Sequence, residues 1–195
     1  MASSKSAEIP CDIRELTPGL LQEYLHFFDH DAFADNPRWA SCYCYFPHAP
    51  HSLGNWDVNA TEQNRAAVSA RIRAGQMRGY LAYVNGHVMG WCNAAPRTEF
   101  TILDDEPQAA KIGSIVCFVI AKPFRGRRIA TRLLQAACNG FRHQGLEIAE
   151  AYPRAQAESQ ASNHPGPLAM YLAAGFERVR ESDGSVIVRK ALIDQ

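Results

Sequence analysis

The chain has 195 residues, enough for one domain with a sizeable core, and its 47% apolar and 21% charged residues are typical of globular proteins. Its formal net charge is zero, which argues against nucleic acid or an anionic membrane as the main partner, because both attract a basic excess. Residues 1–7 lack the apolar core of a signal peptide, and no apolar run approaches a membrane span, so we expect a soluble, cytoplasmic protein.

The first third of the chain predicts a strand followed by two helices. Apolar residues mark a strand at 9–15, and Thr17-Pro18 is typical of a helix start, with the helix running to about Asp29. A second helix is predicted over 59–75. The sequence between the helices, 30–58, is irregular but unusually aromatic, and we expect it to pack as a lid or wall over a site.

The middle of the chain predicts a hairpin and then a buried strand that leads into a helix. Asn85-Gly86 is a strong turn signal, so residues 79–95 should form two antiparallel strands. A polar loop covers 97–109. The apolar run at about 112–121 is typical of a strand buried on both faces, and the helix after it should end near Gln144.

The last third predicts a strand at 146–152, a short helix at 168–174 and a closing hairpin at 176–192. The complete order is β-α-α-β-β-β-α-β-α-β-β, an α/β fold with a mixed sheet. The fourth and fifth strands, joined by one long helix, should be parallel with a right-handed crossover. We expect a disordered stretch at 1–7 and a single domain at 8–192.

A basic turn, Arg125-Gly126-Arg127-Arg128, lies between the buried strand and the helix that begins at Ile129. Backbone N–H groups of a tight turn, the positive end of a helix dipole and arginine side chains all favour a negative ligand. The residues therefore predict an anion site at this helix start.

The same residues carry a family resemblance. The segment from Arg125 to Ala130, together with the order of elements, resembles the acetyl-CoA-binding signature Arg/Gln-x-x-Gly-x-Gly/Ala of the GNAT N-acetyltransferase superfamily. Met170 to Phe176 is similar to the family's "lYeklGF" segment. Within the superfamily the chain resembles a bacterial group of mostly uncharacterised members, through a Cys-x-Cys aromatic loop and the segments Gly90-Trp91, Ala95-Pro96-Arg97, Cys117-Phe118-Val119-Ile120 and Glu150-Ala151-Tyr152-Pro153.

The resemblance implies acetyl-CoA as the acetyl donor and a splay between the fourth and fifth strands. Main-chain groups of Phe118, Val119 and Ile120 would pair with the pantetheine arm, one N–H polarising the acetyl carbonyl. The pyrophosphate would be held by the N–H groups of Arg125, Gly126, Arg127, Arg128, Ile129, Ala130 and Thr131. The signature's glycine falls on Arg128, which either grips a phosphate or weakens binding.

Three residues are predicted to serve the chemistry. Tyr171 takes the position of a tyrosine that the family often uses to protonate the departing thiolate, although core packing explains it equally well. Glu150 lies in an apolar strand, where a carboxylate needs either catalytic work as a base or a salt bridge. His164 is the alternative base, and a chain of waters could also suffice.

The acceptor site is predicted from the aromatic loop, with Trp39, Tyr43 and Tyr45 as its wall. Arg97 could bind an acceptor carboxylate or cap its own loop. Cys42, Cys44, His48 and His51 suggest a metal cluster, but their spacing is not that of a zinc site, and we expect no metal. Cys117 as an acyl-accepting nucleophile is less favoured than Cys117 as a core residue.

The sequence therefore predicts an acetyl-CoA-dependent N-acetyltransferase that acts on a primary amine of a small molecule by direct attack on the thioester. An acyl-CoA-binding domain without turnover and a protein or peptide N-acetyltransferase are the alternatives. The oligomeric state is left open, with a homodimer as one possibility.

Overall fold

One seven-stranded sheet organises the residues that the computed structural model describes, which are 9–50, 59–156, 163–182 and 184–193. The strands are β1 (Asp12–Glu15), β2 (Gly79–Val84), β3 (His87–Pro96), β4 (Ile112–Ile120), β5 (Ile148–Ala151), β6 (Glu177–Ser182) and β7 (Ser185–Ala191). The α-helices within those ranges are α1 (Leu21–His30), α2 (Thr61–Arg73), α3 (Ile129–His143) and α4 (Leu168–Ala173). The predicted disorder of residues 1–7 lies outside the described residues.

The strands lie in the order β1-β2-β3-β4-β5-β7-β6. β4 and β5 are parallel, whereas the other neighbouring pairs are antiparallel. The predicted mixed sheet, the order of elements and the parallel pair are therefore confirmed. Asn85 and Gly86 both have positive φ, 51° and 80°, which is the backbone that a tight two-residue hairpin turn requires.

The helices cover the two faces of the sheet with separate cores. α3 and α4 pack on one face, around Leu133, Phe141 and Tyr171, which are buried together with inward-facing residues of the strands. α1 and α2 pack on the other face around Tyr24 and Trp91, whose rings meet edge to face at 5.1 Å. This arrangement leaves β4 in the middle of the sheet with apolar neighbours on both sides.

Three element boundaries differ from the sequence-based expectation. β1 begins only at Asp12. α1 begins at Leu21 after a 3-10 turn, Pro18–Leu20, and Thr17 makes no side-chain cap; Gly19 in that turn is a poor helix former. β5 is shorter than predicted because Leu146 still donates its N–H to the Phe141 carbonyl at the end of α3.

Strand β4 contains a β-bulge at Val116. Asn93 of β3 pairs with Cys117 and Ala94 pairs with Ile115, so Val116 is one extra residue on β4. Ile115 and Phe118 therefore both face the α3 core, although they are three residues apart. Val116 and Cys117, between them, both pack on the other face.

The aromatic stretch predicted at 30–58 is ordered into two 3-10 turns in its described part, Pro37–Cys42 and Phe46–His48. Residues 51–58 lie outside the described ranges. Tyr43 and Cys44 between the turns have positive φ, 45° and 53°, a conformation that non-glycine residues adopt only when their surroundings impose it. None of the helices in the described part of the chain combines the length and the apolarity that crossing a bilayer requires.

Candidate active site

Strand β4 has an edge that β5 does not cover. The pairing of the two strands runs from Ile112 to Ile115 on β4 and ends at Ala151 on β5. Pro153, which has no N–H to continue a ladder, follows closely on the β5 side. The rest of β4, as far as Ile120, therefore borders a crevice, which is the splay that the family resemblance implied.

The polar backbone groups on this edge bond to other parts of the chain. The Phe118 N–H donates to the His164 carbonyl, with an N···O distance of 2.6 Å. The Ile120 carbonyl accepts a hydrogen bond of 2.9 Å from Arg125 Nε. The structure thus places both groups toward the crevice, where a ligand running alongside β4 could reach them only by replacing these contacts.

The basic turn joins this edge to the start of α3. A 3-10 turn, Lys122–Phe124, follows β4, and α3 begins at Ile129 without a side-chain cap. The N–H groups of the first helical turn have no carbonyl partner within the helix, and they lie at the positive end of its dipole. The turn therefore has the geometry of an anion site.

Arg128 occupies a backbone conformation that favours glycine. Its φ and ψ are 62° and 11°, in the left-handed region, and Gly126 nearby has φ 74°. A side chain in this region costs on the order of 1 kcal/mol. The glycine of the family signature thus has a physical reason at this position, and Arg128 satisfies the same backbone requirement under strain, with its side chain exposed.

Arg125 connects the turn to the aromatic loop. Its guanidinium forms a two-pronged ion pair with Asp35, with N···O distances of 2.7 and 2.9 Å. Hydrogen bonding from Arg125 lowers the pKa of the Asp35 carboxyl below its ordinary value. Arg127 lies over the ring of Phe124, 6.0 Å from its centroid. The positive charge of the turn is therefore only partly neutralised by Asp35.

Tyr171 is fully buried on α4. Its hydroxyl donates to the Pro165 carbonyl at 2.6 Å, and its ring contacts Phe176 edge to face at 5.2 Å. Burial raises the pKa of the phenol well above its ordinary value, so the group holds its proton at neutral pH. Both predicted roles, acid and packing residue, are compatible with this position.

Glu150 lies in a buried network of charges. Its Oε1 accepts hydrogen bonds from Arg97 Nη1 and from the Tyr152 hydroxyl. Its Oε2 accepts from Arg189 Nε at 2.6 Å, and Arg189 also donates to Glu106 at 2.9 Å. Only 1% of the Glu150 side chain is exposed. These contacts correspond to the salt bridge that the sequence left as the alternative to a base.

Arg97 shares this network and also lines the cavity of about 630 Å³ at the β3–β4 connection. Its Nη1 also contacts the Tyr152 hydroxyl at 2.5 Å, and its Nη2 donates to the Asp104 carbonyl at 2.8 Å. The Tyr152 hydroxyl lies 2.8 Å from Ser114 Oγ. Burial and the Glu150 charge raise the Tyr152 pKa well above its ordinary value. The network ties the β3–β4 connection to β5 and β7.

His164, the other predicted base, has a largely buried imidazole ring. Burial, reinforced by the charge of Arg154, lowers its pKa to about 4. Its Nδ1 is buried and has no hydrogen-bond partner in the described part of the chain. The ring meets Trp39 edge to face at 5.3 Å. His164 thus combines a free ring nitrogen with a position next to the β4 edge.

The predicted acceptor wall divides between the surface and the core. Trp39 and Tyr45 are half-buried, whereas Tyr43 is a core residue whose hydroxyl donates to Asp29 at 2.7 Å. His48 is buried against Phe100, with 4.9 Å between their rings. The Trp39 ring contacts the candidate base His164.

The thiols of the aromatic loop pack with β4. Asn93 donates to both the carbonyl and the sulfur of Cys44, at 3.2 and 3.3 Å, and Cys117 shares a hydrogen bond with the same sulfur. In the described ranges no three histidine, cysteine or acidic side chains are arranged to hold a metal ion. His51, one of the four residues considered as ligands, lies outside those ranges.

Sequence reasoning missed the two partners of Glu150 other than Arg97, which are Tyr152 and Arg189. Tyr152 could have been found, because residues two apart on a strand share a face and Glu150 is its i−2 neighbour. Arg189 could not, because its pairing with Glu150 depends on the register of β7 against β5. Two surface cavities, of about 410 and 630 Å³, lie beside α1 and beside the β3–β4 connection, away from the β4 edge.

Known structures share this fold at low sequence identity. An N-acetyltransferase from Staphylococcus aureus Mu50 superposes with a TM-score of 0.58 at 14% identity, covering 94% of this chain and 99% of that one. PaiA N-acetyltransferase from Thermoplasma acidophilum, solved in complex with coenzyme A, has a TM-score of 0.57 at 12% identity, with coverages of 94% and 99%.

A third structure, yncA from Salmonella typhimurium with its cofactor acetyl-CoA, has a TM-score of 0.54 at 13% identity and covers 95% of each chain. A comparison with curated proteins found no match. The family model for the acetyltransferase (GNAT) family matches residues 28–176, which include the crevice, the basic turn and Tyr171. The chain therefore belongs to the GNAT acetyltransferase family.

Proposed function

We propose that this protein is an N-acetyltransferase that moves the acetyl group of acetyl-CoA to a primary amine of a small molecule. The observation that carries the proposal is the crevice edge of β4 leading directly into a cationic turn at a helix start. An extended arm with a phosphate at one end matches this sequence of groups. Two of the structural neighbours contain coenzyme A or acetyl-CoA, which supports this donor.

Donor binding would use main-chain groups first. The main-chain groups of Phe118 and Ile120 would pair with the pantetheine arm, whereas those of Val119, predicted to share this role, face β3. The N–H groups from Arg125 to Thr131 would hold the pyrophosphate. Arg125 would contribute charge after exchanging its ion pair with Asp35. A residue in the left-handed conformation directs successive N–H groups of a turn to the same side. In this proposal the strained backbone of Arg128 therefore points its N–H at the phosphate.

The thioester of acetyl-CoA supplies an already activated acetyl group, so the protein has three tasks. The Phe118 N–H would stabilise the negative charge that develops on the carbonyl oxygen as the amine lone pair forms the new C–N bond. Tyr171 would give its proton to the sulfur as the C–S bond breaks. A base would remove the surplus proton from the amine nitrogen.

For the base, the contacts favour His164 over Glu150. Both carboxylate oxygens of Glu150 already accept hydrogen bonds from arginines, and only 1% of the side chain is exposed, so an amine has little access to them. His164 is neutral at pH 7 and its Nδ1 has no partner among the described residues. In this proposal, Glu150 is a positioning residue and His164 accepts the proton.

The acceptor would enter beside Trp39, which covers His164 from the aromatic loop. Because the Trp39 ring offers an apolar surface there, we propose a small amine with an apolar body rather than a strongly acidic acceptor. One second function is specifically favoured by the structure: the full pairing of Glu150 is compatible with an acyl-CoA-binding domain that does not turn over.

Thermal unfolding with and without acetyl-CoA tests donor binding. A ligand at about 100 times its dissociation constant stabilises the folded state by about 2.7 kcal/mol. No shift at millimolar acetyl-CoA would overturn both the transferase and the binding-domain proposals. Free-thiol release measured across a panel of small amines and amino-terminal peptides then separates the two, and it also shows which class of amine is accepted.

A further inference from the structure

Two consecutive carbonyls of the segment 163–166 hold the two groups that we assign to the thioester. The His164 carbonyl accepts the Phe118 N–H, and the Pro165 carbonyl accepts the Tyr171 hydroxyl, each at 2.6 Å. Phe118 lies on β4 and Tyr171 on α4, so the segment bridges the two sides of the crevice. The two hydrogen bonds involve different donors on different elements, so neither bond requires the other.

The segment also fits the crevice closely. Gly166 has φ 91°, and a Cβ at this position would lie 3.0 Å from the Met170 side chain and 3.2 Å from the rings of Phe118 and Tyr171. A residue larger than glycine would be strained by the positive φ and would also crowd the side chains of Met170, Phe118 and Tyr171. At its other end, the His164 ring rests against Trp39.

The hydrogen of an N–H group, like that of a hydroxyl group, makes only one strong hydrogen bond at a time. The acetyl carbonyl therefore cannot take the Phe118 N–H while the His164 carbonyl holds it, and the same exclusion applies to the sulfur and the Tyr171 hydroxyl. These two hydrogen bonds and a productive donor complex exclude each other, so they belong to two alternative states of segment 163–166.

We propose that segment 163–166 is an autoinhibitory strap that imitates the thioester: its carbonyls must turn away from Phe118 and Tyr171 before acetyl-CoA can be used, while the His164 ring stays beside Trp39. The proposal rests on the proposed function, because it takes Phe118 and Tyr171 to be the groups that serve the acetyl transfer. The strap lowers the apparent affinity for the donor by the fraction of molecules in which it is withdrawn. Variants that weaken the strap contacts should therefore bind the donor more tightly.

Gly166→Ala is the first test, because it strains the strap while leaving the Phe118 N–H and the Tyr171 hydroxyl chemically unchanged. Coenzyme A cannot turn over, but its pantetheine arm and its sulfur would need the groups that the strap holds on β4 and Tyr171. Titration calorimetry with coenzyme A should therefore show affinity increased about three- to ten-fold. Gly145→Ala is the matched control: Gly145 also has positive φ, 76°, but it lies at the end of α3 and has no atom within 4 Å of a built Cβ. This control should leave coenzyme A affinity unchanged.

Tyr171→Phe is the second test and does not depend on the folding of the glycine variant. It deletes the hydroxyl that holds the Pro165 carbonyl, so coenzyme A affinity should rise while acetyl transfer falls. Hydrogen exchange of the unaltered protein provides a third readout: peptides covering 163–166 should exchange faster after coenzyme A is added.

The outcomes separate the inference from the proposed function. Binding of coenzyme A by the unaltered protein, with no gain in either variant or with slower exchange at 163–166, overturns the strap and leaves the transferase proposal intact. Failure of the unaltered protein and both variants to bind coenzyme A overturns both. Tighter binding in both variants, with faster exchange of the segment, supports the strap.

Discussion

Two groups of arginines in this protein lie in opposite physical situations. Arg97 and Arg189 meet Glu150 and Glu106 in or beside the core, where the positive and negative charges balance and the side chain of Arg97 is 5% exposed. The arginines of the turn after β4, from Arg125 to Arg128, have one acidic partner, Asp35, among the ion pairs of the described residues. The backbone beneath them is strained at Arg128.

The difference distinguishes charge that holds the fold from charge that is available to a ligand. Buried ions need partners of opposite charge, and a charge that is already paired interacts only weakly with a substrate. The turn instead keeps an excess of positive charge in solvent and combines it with the open end of a helix. Arginine content alone would not separate the two regions, but burial and partners do.

The largest effect should come from breaking the buried network. Glu150→Gln leaves Arg97 buried without its carboxylate, so the free energy of unfolding should fall by about 3 kcal/mol. Urea denaturation measures this loss. Glu147→Gln is the matched control, because the Glu147 pair with Lys111 is exposed and its loss should cost less than about 0.5 kcal/mol. Unchanged stability together with lost turnover would instead make Glu150 the base.

A smaller effect should appear as a pH dependence at His48, which is buried next to Asn93 and the Glu99 carbonyl. Burial, with the charge of Arg71, lowers its pKa to about 4 from an ordinary value of 6.5. The unfolded state therefore binds the proton first as the pH falls, and stability is present above about pH 6.5 and is lost below it.

Between about pH 7 and about pH 5, His48 should contribute a loss of about 2 kcal/mol. His48→Gln should flatten the curve of unfolding free energy against pH by that amount, while the exposed His87→Gln serves as the control. A curve that keeps its slope in the His48 variant would show that the imidazole is protonated equally in both states.

Arg128→Gly tests the backbone strain in the basic turn. Relief of the left-handed strain, less the greater chain entropy of glycine, should raise the free energy of unfolding by about 0.5 kcal/mol. Arg127, whose φ is not positive, provides the control: Arg127→Gly should destabilise the protein. Coenzyme A affinity should be unchanged in the Arg128 variant, and a loss of more than about ten-fold, or 1.4 kcal/mol, would show that the side chain grips a phosphate.

The smallest effect is expected at Asp35. Asp35→Asn frees Arg125 from its ion pair, so coenzyme A should bind about two-fold more tightly at low salt, with little change in stability. Asp105→Asn removes the same charge from an exposed residue of the β3–β4 connection and should not alter binding. Equal gains in the two variants would assign the effect to net charge rather than to Arg125.

The sequence predicts the order of the helices and strands because each of these elements is determined by residues that are close together in the chain. The switch from a continuous apolar run to helical spacing at Ile129, and the Asn85-Gly86 turn, both depend on neighbours in the chain. Arg128 could likewise be singled out from the sequence, although only its φ of 62° shows what the position demands. The family resemblance then supplied the chemistry that these local patterns leave open.

The contacts that decide the roles of the site residues are long-range and could not be predicted. Glu150 meets Arg97 and Arg189, which are 53 and 39 residues away. The bond from Phe118 to His164 depends on how a loop folds back across the crevice. Such contacts require the register of several strands and the course of a loop, and no periodicity in the sequence encodes either.

The bulge at Val116 has a consequence for how β4 can change in length. The strand alternates its side chains in one phase before the bulge and in the opposite phase after it, so that Ile115 and Phe118 reach the same core. Deletion of Val116 would make the pairing of β4 with β3 regular and would leave Ile115, Phe118 and Val119 in the cores that they now occupy. We therefore expect β4 to tolerate the deletion of one residue at Val116, whereas a single deletion elsewhere in the strand would move the residues after it to the opposite face.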